Sequence, residues 1–200
     1  MNRWNERYAG EEFLFGTAPN AFLVAQRARL PQHGKALAVA DGEGRNGVWL
    51  AEQGLDVLAV DASDVGLVKS RRLAAERNVS MAWELADLSN WDFGRERFDV
   101  IAAIFIQFAD PALRTRPFAG MVAALKPGGV LLLEGYRPEQ LGYGTGGPSE
   151  VANLYTEAML REAFAELTIE HLVAYDAVIH EGNGHHGISA LIDLVARKPD

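Results

Sequence analysis

Ala36-Leu37-Ala38-Val39-Ala40-Asp41-Gly42-Glu43-Gly44-Arg45-Asn46-Gly47 is the stretch that decides the fold of this 200-residue chain. An apolar run of strand length gives way to a glycine-rich turn. The segment Asn46 to Gln53 then reads as a helix that stops at Gly54, where a C-cap is expected. Strand, tight turn and helix follow one another, and glycines at such a junction let a ligand approach the backbone at a helix N-terminus.

The same unit recurs downstream. Leu55 to Val60 reads as a strand, Asp61-Ala62-Ser63 as a turn with a capping serine, and Val65 to Arg77 as a helix with Val65, Val68 and Leu73 inward. A short strand follows near Met81 to Leu85. Arg97 to Ile106 is nearly all apolar, as a central strand covered on both faces should be. Asp110-Pro111 caps a helix running to about Leu125, and Lys126-Pro127-Gly128-Gly129 turns into a strand over Val130 to Glu134. After a glycine-rich loop, Leu141 to Pro148, come a helix from Thr156 to Glu166 and two long strands, Thr168 to His180 and Ile188 to Arg197. Upstream, Pro19 to Leu30 reads as a helix. The pattern predicts an α/β class with a doubly wound, seven-stranded, mostly parallel sheet and a terminal antiparallel strand pair. Residues 1–200 are expected to form one domain, with 1–34 as an extension of the 35–200 core.

Composition narrows the function. A formal net charge of -8 repels the phosphate backbone, and basic residues occur only as scattered pairs, so nucleic acid is not an expected partner. With no cysteine, a thiolate nucleophile, a Cys-ligated zinc and an iron-sulfur cluster are excluded. The polar N-terminus lacks the apolar core of a signal peptide, and no apolar run reaches membrane-spanning length, so a soluble, cytoplasmic chain is expected. His180-Glu181 and His185-His186 invite a metal reading, but Gly182-Asn183-Gly184 between them breaks any helix that could give the HExxH geometry, and no metal is expected.

Read literally, Gly42-x-Gly44-x-x-Gly47 is a dinucleotide fingerprint, with Asp61, 19 residues beyond Gly42, at the end of the second strand to take a ribose hydroxyl. Asp87-Leu88 after the third strand, and Leu125-Lys126-Pro127-Gly128-Gly129 before the fifth, move the ligand from a dinucleotide to S-adenosylmethionine (SAM).

At these residues the chain resembles the class I SAM-dependent methyltransferases. Within them it is similar to the small tellurite-resistance and thiopurine methyltransferases. Trp4-Asn5-Glu6-Arg7-Tyr8 and Phe15-Gly16-Thr17-Ala18-Pro19-Asn20 look like that group's lid over the cofactor. Gly42-Glu43-Gly44-Arg45-Asn46 looks like its first SAM motif. The resemblance implies SAM as cofactor and S-adenosylhomocysteine (SAH) as product. It places Trp4, Gly16 and Thr17 in the lid, Ala40, Gly42, Gly44 and Asn46 at the amino-acid end, and Asp61 with Ala62 at the ribose. Asp87 and Leu88 fall at the adenine, and Ile104, Phe105 and Gln107 on the floor below the sulfonium. One departure stands out: where many class I enzymes carry an acid in the first strand and a glycine opening the turn, this chain has Ala38 and Ala40.

Methyl transfer is an in-line displacement at an already activated carbon, so alignment and exclusion of water matter most. A soft anion needs little or no base, whereas a neutral hydroxyl or amine wants one. The expected acceptor is a small soft nucleophile, a thiol or chalcogen oxyanion, with His185, Tyr143 and Arg137 as candidate catalytic groups and Tyr136 nearby. His185 is favoured because the turn around it has a counterpart in the resembling family. The loop at Tyr143 is a candidate mobile gate. A monomer or a homodimer is expected. Two other readings stay open: a non-catalytic SAM- or SAH-binding protein, motivated by Ala38 and Ala40, and an NAD(P)-dependent oxidoreductase, motivated by the fingerprint alone.

Overall fold

The computed structural model describes residues 3–200. Strands β1 (Lys35–Val39), β2 (Asp56–Asp61), β3 (Ala82–Leu85), β4 (Phe98–Ile104), β5 (Leu125–Tyr136), β6 (Thr168–Glu181) and β7 (His185–Arg197) form one sheet. Its order is β3-β2-β1-β4-β5-β7-β6, with the first five strands parallel and β7 antiparallel to both neighbours. The expected terminal antiparallel pair is therefore present. Successive strands step one way from β1 to β3 and the other way from β4 onward. The crevice at the carboxyl ends of β1 and β4 is thus the switch point where doubly wound sheets bind ligands.

Alternation along β4 builds two cores. Ile101 and Ala103 face α5 (Pro111–Ala124) and α6 (Glu157–Ala163), where Phe118, Met121, Leu160 and Phe164 are buried. Val100, Ala102 and Ile104 face α3 (Arg45–Glu52) and α4 (Asp64–Glu76) through Val48, Leu50, Leu73 and Ala74. Caps stand where the sequence placed them: Ser63 Oγ accepts from Gly66 N, and Asp110 accepts from Leu113 N ahead of Pro111.

Four local expectations are corrected. Val68 points outward at 63% exposure, and Leu67 takes the inward place at 1%. The helical period aligns Gly66, Leu67, Ser70, Leu73 and Ala74 on the sheet side, which leaves Val68 about 100° away from Leu67. The helix expected over Pro19 to Leu30 starts after the Asn20 cap and is split at Gln26 into α2 (Ala21–Ala25) and a 3₁₀ turn (Arg27–Arg29), which ends where Pro31 holds Leu30 extended at ψ 138. Lys126 to Gly129 does not interrupt β5: pairing jumps from Phe98–Leu125 to Val100–Val130, and the extra residues bulge out through Gly128 at φ +72. The last hairpin is tighter than expected, with Glu181 paired directly with His185 across a tip of three residues.

At the N-terminus α1 (Arg3–Tyr8) sits on the start of α4. Asn5 Nδ2 donates to Asp64 Oδ1, and Ser63 Oγ donates to Asn5 Oδ1, both at 2.6 Å. No helix among the described residues is long and apolar enough to cross a membrane.

The correction in α4 has a measurable consequence. Leu67→Ala should lower unfolding free energy by about 2–5 kcal/mol, whereas Val68→Ala should leave it within about 0.5 kcal/mol. Urea denaturation of the two variants checks this, and equal losses would contradict the assigned face.

Candidate functional site

A cavity of about 800 Å³ opens at the switch point, walled by the ends of β1, β2, β4 and β5, by α1, and by the tip of the β6–β7 hairpin. Its size is that of a cofactor plus a small second ligand.

The glycine-rich turn after β1 is shaped first by the chain's own packing. Ala40 is held at φ +49, a left-handed conformation that glycine would adopt without strain. A Cβ on Gly42 would lie 2.6 Å from Tyr8 Oη, and one on Gly44 would lie 2.2 Å from Ser70 Oγ. Gly42 therefore lets Tyr8 cover the loop, and Gly44 lets α4 close on it. Asp41 turns inward, its Oδ1 accepting from Gly47 N at 3.0 Å while its buried Oδ2 has no partner. Burial pushes this carboxyl from 3.8 up to about 7, against the bond from Gly47.

Asp61 is anchored to the same loop, accepting from Gly42 N through Oδ2 and from Ser63 N through Oδ1, each at 2.8 Å. Burial raises its pKa while those backbone bonds oppose the rise. Ala62 lines the cavity beside it, followed by Asp87 and Leu88. Asp87 is exposed, and the bonds from Ser89 lower its pKa.

Ile104, Phe105 and Gln107 border the cavity below. Phe105 has φ +55, unusual for a bulky residue, and its ring centroid lies 4.7 Å from that of Tyr136, tilted, and 4.5 Å from that of His185, edge to face. Gln107 is spent on architecture. Its amide donates to Tyr136 O and Asn153 O and accepts from Tyr136 N.

His185 stands at the opposite wall, buried against Phe15, Phe105 and Tyr136. Its Nδ1 lies 3.1 Å from Glu181 Oε2. Arg45 donates to the same carboxylate oxygen at 2.7 Å, and Asn20 Nδ2 to Oε1 at 3.0 Å. Burial works to raise the Glu181 pKa, but the bonds from His185 and Arg45 prevail and hold it at about 2. Burial lowers the His185 pKa, opposed by Glu181. The imidazole is thus neutral near pH 7. With its proton on Nδ1 facing an ionised carboxylate, Nε2 is left as an acceptor. Tyr136 Oη is buried without a partner on the same wall.

Most residues expected at the cofactor line this cavity, including Trp4, Gly16, Ala40, Gly42 and Asn46. Gly44 and Thr17 do not, and Asn46 Oδ1 is already engaged by Asn20 N. Arg137 and Tyr143 lie outside it, both bonded to Asp176 of β6. No cluster of three or more potential metal ligands occurs among the described residues. Sequence reading missed Asn20 and Glu43 as organisers; Glu43 accepts from Leu14 N and Lys69 Nζ, each at 2.7 Å. The charged residue Glu134 in an otherwise apolar strand was a usable signal: its carboxyl, accepting from Asn20 Nδ2, is buried behind the site, and burial with the nearby Asp193 and Glu181 charges pushes its pKa well up.

The switch-point cavity and the sheet order define the class I methyltransferase fold. Residues 36–129 match the family model described as a methyltransferase domain, and the chain as a whole has the fold of such enzymes. No curated protein matches it. Among solved structures, it is similar to a protein from work on the conversion of a disulfide bond into a thioacetal group during echinomycin biosynthesis, at 20% identity and TM-score 0.78 over 98% of this chain and 88% of that one. It also resembles the N-methyltransferase NodS from Bradyrhizobium japonicum WM9 in complex with SAH, at 15% identity and TM-score 0.72 over 98% and 97%. TehB from Haemophilus influenzae gives 18% identity and TM-score 0.71 over 88% of this chain and 61% of that one.

Because Asp41 is neutral when folded and ionised when unfolded, its contribution to stability is full below pH 3.8 and is lost as pH rises through about 7. Asp41→Asn should therefore gain stability over the parent on going from pH 4 to pH 8. Melting temperatures across that range test it, and a constant difference between the two proteins would refute it.

Proposed function

We propose that the cavity binds SAM with its adenosine toward Asp61, Ala62, Asp87 and Leu88 and its amino-acid end toward Ala40, Gly42 and Asn46, and that the methyl group passes to a small soft nucleophile such as a thiol. The observation that carries the reading is Asp61, buried at the end of β2 and tied to Gly42 N, beside a cavity at the switch point. The residues suit the cofactor: Asp61 retains lone pairs for ribose hydroxyls, Leu88 offers a buried apolar surface for a base, and the turn exposes backbone rather than side chains. Against a nicotinamide cofactor stands the match of residues 36–129 to a methyltransferase domain.

When bound, SAM supplies a methyl group already activated by positive sulfur. The chain's own work is alignment and desolvation. Trp4, Tyr8 and Phe15, in the N-terminal segment before β1, cover the cavity. His185, oriented by Glu181 and Arg45, presents Nε2 toward the acceptor and takes its proton when the acceptor carries one. That base argues against the non-catalytic reading and suits a neutral thiol better than a preformed oxyanion. Arg137 and Tyr143, held by Asp176, act in this reading as anchors between the glycine-rich loop and β6. The likeness to TehB supports kinship with the tellurite-resistance group. The cysteine-free composition suits a cytoplasmic enzyme, and no acceptor step requires more than one protomer.

Asp61→Ala should weaken SAM binding by about 1.5–3 kcal/mol in calorimetric titration; unchanged affinity would sink the ribose assignment. His185→Asn should slow transfer to a thiol acceptor by about 10²–10⁴-fold with cofactor affinity retained. The rate of the parent should fall only on the acid side, below the ordinary histidine value of 6.5, since burial lowers the pKa of His185. A full rate in the variant would exclude the base.

A further inference from the structure

Tyr136 closes β5 and is 2% exposed, yet its Oη is buried with no hydrogen-bond partner among the described residues. Ser189 stands beside it on β7, but that hydroxyl donates to Gly187 O at 3.3 Å. A phenol taken out of water without a hydrogen bond is destabilising, and in a native site such a group commonly serves a ligand. Burial and the nearby Glu181 and Glu134 charges push the Tyr136 pKa up, so the group keeps its proton and is a donor.

The surroundings fix where a partner would sit. Tyr136, Gly146, Gly147, Gly184 and His185 all line the switch-point cavity. The loop backbone lies over the phenol ring: a Cβ on Gly147 would stand 2.9 Å from Tyr136 Cδ2. One on Gly146 would stand 3.8 Å from Tyr136 Oη and 3.9 Å from His185 Cδ2, the ring carbon bonded to Nε2. The missing side chain of Gly146 thus leaves an atom-sized space that touches both the phenol and the edge of the imidazole that carries the base. Gln140 holds the loop in this position, donating to Thr145 Oγ1 at 3.0 Å and to Gly146 O at 3.1 Å.

We propose that Tyr136 selects the acceptor by its lone pairs: the phenol donates to the second lone pair of a thiol or alcohol whose X–H faces His185, and so disfavours amines. This rests on the reading of the cavity as a SAM site with His185 as base, and narrows that reading to the nucleophilic atom. In the transfer the X–H proton passes to His185 Nε2 and one lone pair of X forms the new bond to the methyl carbon. The electron pair of the broken sulfur–methyl bond stays on the cofactor's sulfur, which becomes a neutral sulfide. Sulfur or oxygen keeps a further lone pair for the Tyr136 hydroxyl. A neutral amine has a single lone pair, which the attack consumes; it meets the phenol only as a donor and leaves the O–H proton buried and unpaired.

Benzyl mercaptan, benzyl alcohol and benzylamine test this, because they differ only in the polar atom, and their ring suits a wall built from Phe15, Phe105 and Tyr136. Each probe is compared between parent and Tyr136→Phe at one pH, so that its own ionisation cancels. In calorimetric titration of the SAH-loaded full chain, Tyr136→Phe should weaken benzyl alcohol by about tenfold and benzylamine by less than about twofold. With SAM, the variant should lower kcat/KM for benzyl mercaptan by about tenfold and leave that for the amine unchanged or raised. The melting temperature of the ligand-free variant should equal or exceed the parent's, since no bond is lost. Equal effects on alcohol and amine, or no effect on either, would overturn the selection. A lower melting temperature would also overturn it, by showing that the phenol already has a partner within the chain, and so would a parent that binds SAM yet leaves the mercaptan unmethylated. Failure of the parent to bind SAM or SAH would fell the cofactor reading itself, an outcome separate from the others.

Discussion

The Glu181 carboxylate is the constraint on which the site depends. One half-buried anion at a hairpin tip receives Arg45 from the start of α3, Asn20 from the cap of α2 and His185 from the first residue of β7. A charge so placed is stable only with all its lone pairs occupied, so three distant segments are brought together to satisfy it. The imidazole gains a fixed tautomer from the same arrangement, and the N-terminal segment gains an anchor beside those that Asn20 makes to Asn46 and Glu134. Catalytic geometry and lid placement are thus consequences of solvating one carboxylate.

Much of the fold was legible because burial on both faces leaves a plain mark. The apolar runs at β1, β2, β4 and β5, each followed by a cap or glycine, announce parallel strands and helical crossovers without tertiary information. Periodicity failed where its margin was small. In α4 both Leu67 and Val68 are apolar, and only the docking angle decides which one is buried. Local chemistry also hides long-range demand. Gln107 resembles a ligand-facing amide in sequence, yet both its N–H donors and its carbonyl oxygen tie down Tyr136 and Asn153.

The site was legible in part for a related reason. The glycine signature was read as room for a ligand, and Gly42 does border the cavity, but the space at Gly42 and Gly44 is claimed by Tyr8 and Ser70. Such a signature reports close approach of any partner, protein or ligand. Arg137 and Tyr143 looked equally available in sequence, and their capture by Asp176 depends on β6, which pairs only with β7 at the edge of the sheet.

The placement of His185 on the last strand bears on synthesis. Its partner Glu181 precedes it by only four residues, but Asn20 and Arg45, which hold Glu181, lie 161 and 136 residues before that glutamate. A growing chain leaving the ribosome can pair β1 to β5 and shape the glycine turn well before β7 exists. The imidazole belongs to the last strand to be made, which inserts between β5 and β6. Without β7 the edge of β5 is unpaired and the cavity has no imidazole, so the glycine turn and the histidine are supplied by opposite ends of the chain.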